Sequence, residues 1–585
     1  MRPRPRVAVP LFLLLSSLAG TPPALAGDPI MPLSEVQRGM RCTGYTVVRG
    51  TDITSFDAEV LDVVDRGGRD GSFIFIRTSG AAVAETGVGN GFSGSPIYCP
   101  DRSGVMRNAG AIAEGLGDYG NQDALATPIE RILGEKVDPP VGAKRVSRAF
   151  GRPHTLASPL VLSGASSGLQ RTLTAAGRRV GRPLVGAPAG PLGGYPPQTL
   201  RPGASVAAGL FSGDVSLGAV GTVAYTDADR VWAFAHPFDG AGRRSLLLQD
   251  AYVYGVIGNP NGFPEATSYK FAAPGHELGT LTNDAPAAVV GRVGPLPAIT
   301  PLTVFARDLD TGRVDSLRVR IPDESSVGQP AGLSGLRLAG PVVMAEAAYG
   351  LLRAAPSRLS SSLCLRFRLR EVRRPLRFCN RYVVGGQPDS EVPPGFSFEL
   401  FGADYDEAVR LIDSATFAQL HVLEVNASLE LRRGLRQAFM VGAKGPSVVR
   451  PGGTARVRLT LREVRGRERG VTLRVPVPRD LRPGRRVLRL TGTAADPVGD
   501  GFFDDLLLFE DSPSTGGDAG PSSLDELARE VRKLGRYDGV RASFPSRTRS
   551  RDRGGDERSQ GAPVYRDPSI RISGSLAMPV RVTRP

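Results

Sequence analysis

The sequence predicts an all-β fold, and three observations carry that reading. Glycine (73) and proline (49) are abundant in the 585 residues while aromatic residues make up only 6%, a composition that many short strands joined by tight turns produce and long helices do not. Short runs rich in β-branched and aromatic residues recur between glycine and aspartate breaks. In the C-terminal part Val457, Leu459 and Leu461 alternate with Arg456, Arg458 and Thr460, the period-two pattern of a sheet with one wet face.

The elements follow in order. Residues 1–26 form a signal peptide with Arg2, Arg4 and Arg6 ahead of an apolar stretch, Val7 to Leu18, and cleavage after Ala26 at Ala24-Leu25-Ala26. Residues 27–140 read as a β module, with strands at Tyr45–Val48, Asp57–Val64, Ser72–Ile76 and Ala111–Ala113. Thr127-Pro128 then opens a short helix with proline at its first position. Residues 141–205 form a Pro/Gly-rich connector with a strand at Leu160–Leu162. A second β module, 206–340, has strands at Val220–Tyr225, Val231–Ala235, Ala251–Ile257 and Ala288–Val293. Residues 341–510 form a third, sandwich-like β-rich region with a helix from about Tyr405 to Phe417. Residues 511–585 are a largely disordered tail holding one helix, 523–535, with Ser523 and Glu526 as a capping box, Gly535 as its end and Leu524, Leu527, Val531 and Leu534 on one face.

Charge and cysteines narrow the function class. Of the 73 basic residues five are lysine, and the net charge is +15. The arginines are spread along strands and tails with few aromatics between them, and no nucleic-acid-binding motif accompanies them. The reading is therefore a basic solvated surface, with no nucleic-acid partner. Past residue 26 no stretch reaches the roughly 18 apolar residues of a membrane helix, so the mature chain is expected to be secreted or periplasmic, without a transmembrane segment. Four cysteines suit an oxidising compartment. They fall into two local pairs, Cys42 with Cys99 and Cys364 with Cys379, although sequence leaves the connectivity open. The second pair flanks a hairpin turning near Arg373-Arg374-Pro375. A Cys42–Cys99 bridge would close a loop of 57 positions and stabilise by about 4 kcal/mol. The spacings are not those of a metal site.

The chemistry-bearing segment is Gly91-Phe92-Ser93-Gly94-Ser95-Pro96. Glycines on both sides of a serine permit a turn that presents a hydroxyl beside main-chain N–H donors. A nucleophile attacking a carbonyl needs that arrangement. A serine also needs a base, and the chain has four histidines. His154 lies in the connector, His276 in a turn and His421 in an apolar run. His236 ends the run Val231-Trp232-Ala233-Phe234-Ala235 and is stopped by Pro237, so it is held rigidly and partly desolvated.

These residues resemble the SpoIVB-type serine peptidases, sporulation-signalling enzymes thought to be distant relatives of chymotrypsin-like proteases. The likeness rests on Met31 to Met40 leading to Gly44-Tyr45-Thr46-Val47, on Thr86-Gly87, on the Ser93 segment running into Ile97, on Gly221-Thr222-Val223 and on Ala233 to Phe238. It covers about residues 31–135 and 205–260. The resemblance implies a chymotrypsin-like double β-barrel core that cleaves peptide bonds through an acyl-enzyme. Ser93 would be the nucleophile and His236 the base. The N–H groups of Gly91 and Ser93 would form the oxyanion hole. It implies a protein or peptide substrate, possibly the chain itself, and no cofactor or metal. Two departures stand out. Ser93 precedes His236 by 143 residues, the reverse of the family order. Thr78 occupies the position of the family's aspartate, so the third triad member is open, with Asp214, Asp239 and Asp250 as candidates. The alternative reading is an inactive peptidase-fold envelope protein serving as a binding scaffold.

Overall fold

In the computed structural model the described residues are 27–67, 71–116, 121–139, 159–258, 268–327, 332–353, 356, 358–385, 398–492, 502–508, 520–535, 539–545 and 562–584. The signal peptide, His154 and, within the tail, residues 511–519, 536–538, 546–561 and 585 lie outside them.

Mostly β structure is what the sequence builds. The first module is a closed antiparallel barrel of β1 (Arg41–Val47), β2 (Ile53–Asp65), β3 (Ser72–Ser79), β4 (Pro96–Pro100), β5 (Met106–Gly115) and β6 (Asp123–Pro128), joined in the order β1-β2-β3-β6-β5-β4. Alternate residues of β2, among them Phe56, Ala58 and Val60, point into its core. Cys42 and Cys99 form a disulfide that links β1 to β4, the strand entered directly from the serine segment. The short helix α1 (Ile129–Gly134) follows. Its proline, Pro128, stands at the cap with φ −57°, one residue earlier than expected.

The segment read as connector is largely built. It contributes β7 (Leu160–Ser163), α2 (Ser167–Arg179) and β8 (Leu184–Ala187). The Ser166 hydroxyl caps α2, and the helix buries Leu169 and Leu173. Six further strands close a second ring: β9 (Ser205–Gly213), β10 (Ser216–Asp227), β11 (Arg230–Ala233), β12 (Gly242–Ile257), β13 (Tyr269–Ala285) and β14 (Ala288–Val293). Their antiparallel pairings run β9-β12-β13-β14-β11-β10 and return to β9. Eight consecutive buried residues in β9 reflect a strand covered on both faces. The rings share a core in which Phe73, Ala111, Leu125 and Ile129 meet Trp232, Ala235, Ala288 and Val290.

The boundary expected at residue 340 is not observed. It falls inside α3 (Gly335–Leu352), a buried helix preceded by β15 (Ile299–Asp308) and β16 (Val314–Pro322). The strands β17 (Arg358–Leu369), β18 (Leu376–Gly385) and β19 (Val422–Arg433) extend the second ring's sheet as β18-β17-β19-β15-β16 onto β9. Cys364 and Cys379 face each other across β17 and β18 and are bridged. Helix α4 (Phe398–Asp413) starts and ends earlier than the sequence suggested.

A two-sheet sandwich completes the molecule, with its own core. It contains β20 (Gln437–Lys444), β21 (Val448–Val449), β22 (Thr454–Glu463), β23 (Glu468–Pro476) and β24 (Gly484–Thr491). After α5 (Phe502–Leu508) and α6 (Leu524–Leu534) come β25 (Gly539–Ser543), β26 (Ala562–Arg566), β27 (Arg571–Ser573) and β28 (Ser575–Val582). The sheets are β23-β22-β20-β27 and β21-β28-β24-β25-β26, so the tail read as largely disordered supplies four strands. Helix α6 docks on the body through Leu527 and Val531. Ser523 caps it, but the Glu526 carboxylate accepts from Ser522 rather than closing a box on Ser523.

Candidate active site

The serine segment is a double turn wedged between the rings. Phe92 N–H donates to the Gly89 carbonyl (3.0 Å) and Ser95 N–H to the Phe92 carbonyl (2.8 Å). Gly91 and Gly94 take φ +90° and +91°, left-handed values that glycine adopts without strain. At Gly94 space also demands glycine: an added Cβ would lie 1.9 Å from the Thr222 carbonyl oxygen and 2.6 Å from Phe234 N. The turn is anchored on both sides. Phe92 is buried in the barrel core, and Gly94 N–H donates to Ile112 O on β5 (2.7 Å).

Two N–H groups of this turn stand out. Those of Gly91 and Ser93 donate to no group among the described residues, whereas Asn90, Phe92, Gly94 and Ser95 all donate. These are the two donors expected to receive an oxyanion. Ser93 itself is 6% exposed, and its Oγ is buried with no hydrogen-bond partner.

His236 arrives from the second ring. After β11 the chain makes a tight turn in which Ala235 N–H donates to Ala233 O (2.8 Å), with Phe234 and Ala235 at φ 67° and 56°. Positive φ at two consecutive non-glycine residues is strained backbone, a feature that clusters at functional sites. The loop is held from outside. The Thr127 hydroxyl donates to Ala235 O (2.7 Å). The buried Asp284 carboxylate accepts from Phe238, Asp239 and Ala241 N–H (2.7, 2.8 and 3.2 Å). Burial and the neighbouring Asp239 raise the Asp284 pKa to about 6.

The histidine ring is set by its own neighbour. Nδ1 lies 2.7 Å from the Pro237 carbonyl oxygen. A carbonyl can only accept, so in the neutral ring Nδ1 carries the proton and Nε2 keeps the lone pair. Desolvation lowers the His236 pKa against the smaller opposing effects of the Pro237 bond and Glu114. The ring is therefore neutral at pH 7, as a general base requires.

Thr222 on β10 joins the two segments. Its N–H donates to Ser93 O (2.8 Å), its hydroxyl to Gly91 O (2.9 Å), and its carbonyl accepts from Phe234 N–H (3.1 Å). The serine turn and the histidine loop are thus tied through one residue. No hydrogen bond joins Ser93 Oγ to the imidazole, because Ser93 Oγ has no partner.

The candidates for a third member are engaged elsewhere. Asp250 binds His276 Nδ1 (3.0 Å), Tyr195 and Gln198 N–H. Asp239 binds Arg182 (2.8 Å) and Leu333 N–H. Asp214 accepts from Arg318 N–H (2.7 Å). The Thr78 hydroxyl donates to Gln122 O (2.8 Å). His421 pairs with Glu371 (2.7 Å). The acceptor on His236 Nδ1 is the Pro237 carbonyl. Sequence reasoning missed that acceptor, the Asp284 anchor and Lys270, whose Nζ donates to Thr222 Oγ1 (2.9 Å) beside the serine turn. The available signal for Lys270 was rarity: a lysine inside an apolar strand, in a chain with five.

Among the described residues there is no group of three or more His, Cys, Asp or Glu side chains placed to hold a metal, and no helix long and apolar enough to cross a membrane. No family model, curated protein or solved structure matches this chain.

Proposed function

We propose that the chain is an exported serine endopeptidase of SpoIVB type. The observation that carries this reading is the triple hydrogen bonding of Thr222, which holds the Ser93 turn against the His236 loop while the N–H groups of Gly91 and Ser93 stay undonated. In the proposed reaction His236 Nε2 takes the Ser93 proton as Oγ attacks a peptide carbonyl. The developing oxyanion receives the two free N–H groups. The imidazolium then protonates the leaving amine, and water cleaves the acyl-enzyme by the reverse route. The Pro237 carbonyl orients the ring but brings no full negative charge to the imidazolium, so the site has less charge stabilisation than one with a carboxylate there. Export rests on the N-terminal leader pattern together with the two disulfides.

A fluorophosphonate probe tests the proposal. Labelling of Ser93 is expected, with none in Ser93→Ala or His236→Ala. Because desolvation lowers the His236 pKa, labelling should persist on acidification and fall only below about pH 6.5. Wild-type protein that reacts no faster than Ser93→Ala sinks the reading.

One observation favours a second reading, the inactive binding scaffold: Ser93 Oγ is covered and has no hydrogen-bond partner. The same labelling decides between the two.

A further inference from the structure

Lys270 on β13 is 3% exposed. Its ammonium donates to Thr46 Oγ1 on β1 (2.7 Å) and to Thr222 Oγ1 on β10 (2.9 Å), and lies 4.9 Å from the centroid of the Phe92 ring. Two hydroxyls and an aromatic face thus surround the three ammonium protons. The contacts continue into the serine turn. The Thr222 hydroxyl in turn donates a hydrogen bond to Gly91 O (2.9 Å), and Ser95 Oγ donates to Thr46 Oγ1 (3.0 Å). Lys270 N–H donates to Asn90 O (2.9 Å). The lysine stem lies along Gly91, where an added Cβ would come 3.0 Å from Lys270 Cβ.

Among the described residues no carboxylate or second cation acts on this amine; burial alone does, lowering its pKa to about 7. An amine buried without an acid is costly, and a methionine would fill the same volume at lower cost. The groups it meets belong to the first barrel, the second ring and the turn between them.

We infer that Lys270 is the positioning residue of the serine turn: its ammonium, held by Thr46 and Thr222, fixes Gly91–Ser93 between the two rings so that the N–H groups of Gly91 and Ser93 stay free to receive the oxyanion. The positioning rests on contacts in the structure, and the oxyanion part rests on the peptidase reading above.

The test uses the full chain with Lys270→Met, which keeps the stem and removes the charge. Amide hydrogen exchange at Phe92, Gly94 and Ser95 is expected to quicken at least tenfold while the melting temperature holds or rises. With the fluorophosphonate probe, kinact should fall at least tenfold and KI stay within twofold, a split that general loss of structure would not give. Unchanged exchange in folded Lys270→Met overturns the inference, as does an unchanged kinact beside quickened exchange. If wild type does not react with the probe, the peptidase reading fails and exchange alone decides whether Lys270 clamps the turn. Should Lys270→Met not fold, Thr222→Val removes the hydroxyl between the ammonium and Gly91 O; it must quicken the same amides, and unchanged exchange there also overturns the inference.

Discussion

At Lys270 the cost of a buried charge becomes measurable as a pH dependence. The folded protein lowers its pKa to about 7 from the ordinary 10.5. The unfolded chain keeps the proton up to about pH 10.4. Between those values the unfolded state binds more protons, so this group makes stability rise with pH across that window and contributes no slope below it. Urea unfolding from pH 7 to 10 should therefore show wild type gaining stability relative to Lys270→Met, by up to one proton's worth of slope. Parallel curves for the two proteins would mean that Lys270 is solvated or paired. Its rarity is the one mark this lysine leaves in the sequence, and that mark says nothing of burial, because a lone lysine in a strand ordinarily faces water; the pairing of β13 against β12 and the serine turn buries it. Ser93 and His236 stand out as candidates for the opposite reason. Glycines flank the serine, and a proline stops an aromatic strand at the histidine, so local composition alone marks both.

Among the elements, the loop from Phe234 to Ala241 carries the histidine, and its anchor is a single carboxylate. Asp284, the last residue but one of β13, accepts three main-chain N–H groups of that loop. Asp284→Ala would leave three donors without this partner, Phe238 N–H buried and those of Asp239 and Ala241 half-buried, a cost of about 2 kcal/mol or more. It should lower the melting temperature and slow probe labelling, while exchange at Phe92 and Gly94 stays near wild type because Thr222 still holds the serine turn. Equal loosening of both segments would show that they move as one. This anchor is not visible in sequence: Asp284 follows His236 by 48 positions, and only the turn-back of β12 into β13 brings it under the loop. The same logic explains the other misses. Helix α3 is apolar on nearly every side, with thirteen of its residues buried, so it lacks the one-sided period that reveals a helix. The tail strands β25 to β28 are short, and their partners are distant. The Cys364–Cys379 hairpin, closed between neighbours in sequence, was readable at once.

For the molecule as a whole, the proposed site lies where the two rings meet, so integrity of that interface should track probe labelling. The contacts across it are specific. Asn108 Nδ2 donates to Ala224 O (3.0 Å), Trp232 Nε1 to Glu135 O (3.1 Å) and Asn283 Nδ2 to Lys136 O (2.7 Å). Trp232 is the chain's one tryptophan and is 5% exposed in the core shared by the rings. Its emission therefore reports ring separation and nothing in the sandwich, which has its own core of eighteen buried residues. Two cores with separate side chains favour two cooperative transitions. In a guanidinium titration the red shift of Trp232 emission should coincide with loss of Ser93 labelling, and far-UV circular dichroism should show a further transition in which the emission does not change. Labelling that survives complete exposure of Trp232 would mean that the serine reacts without the second ring, and the requirement for His236 would go with it.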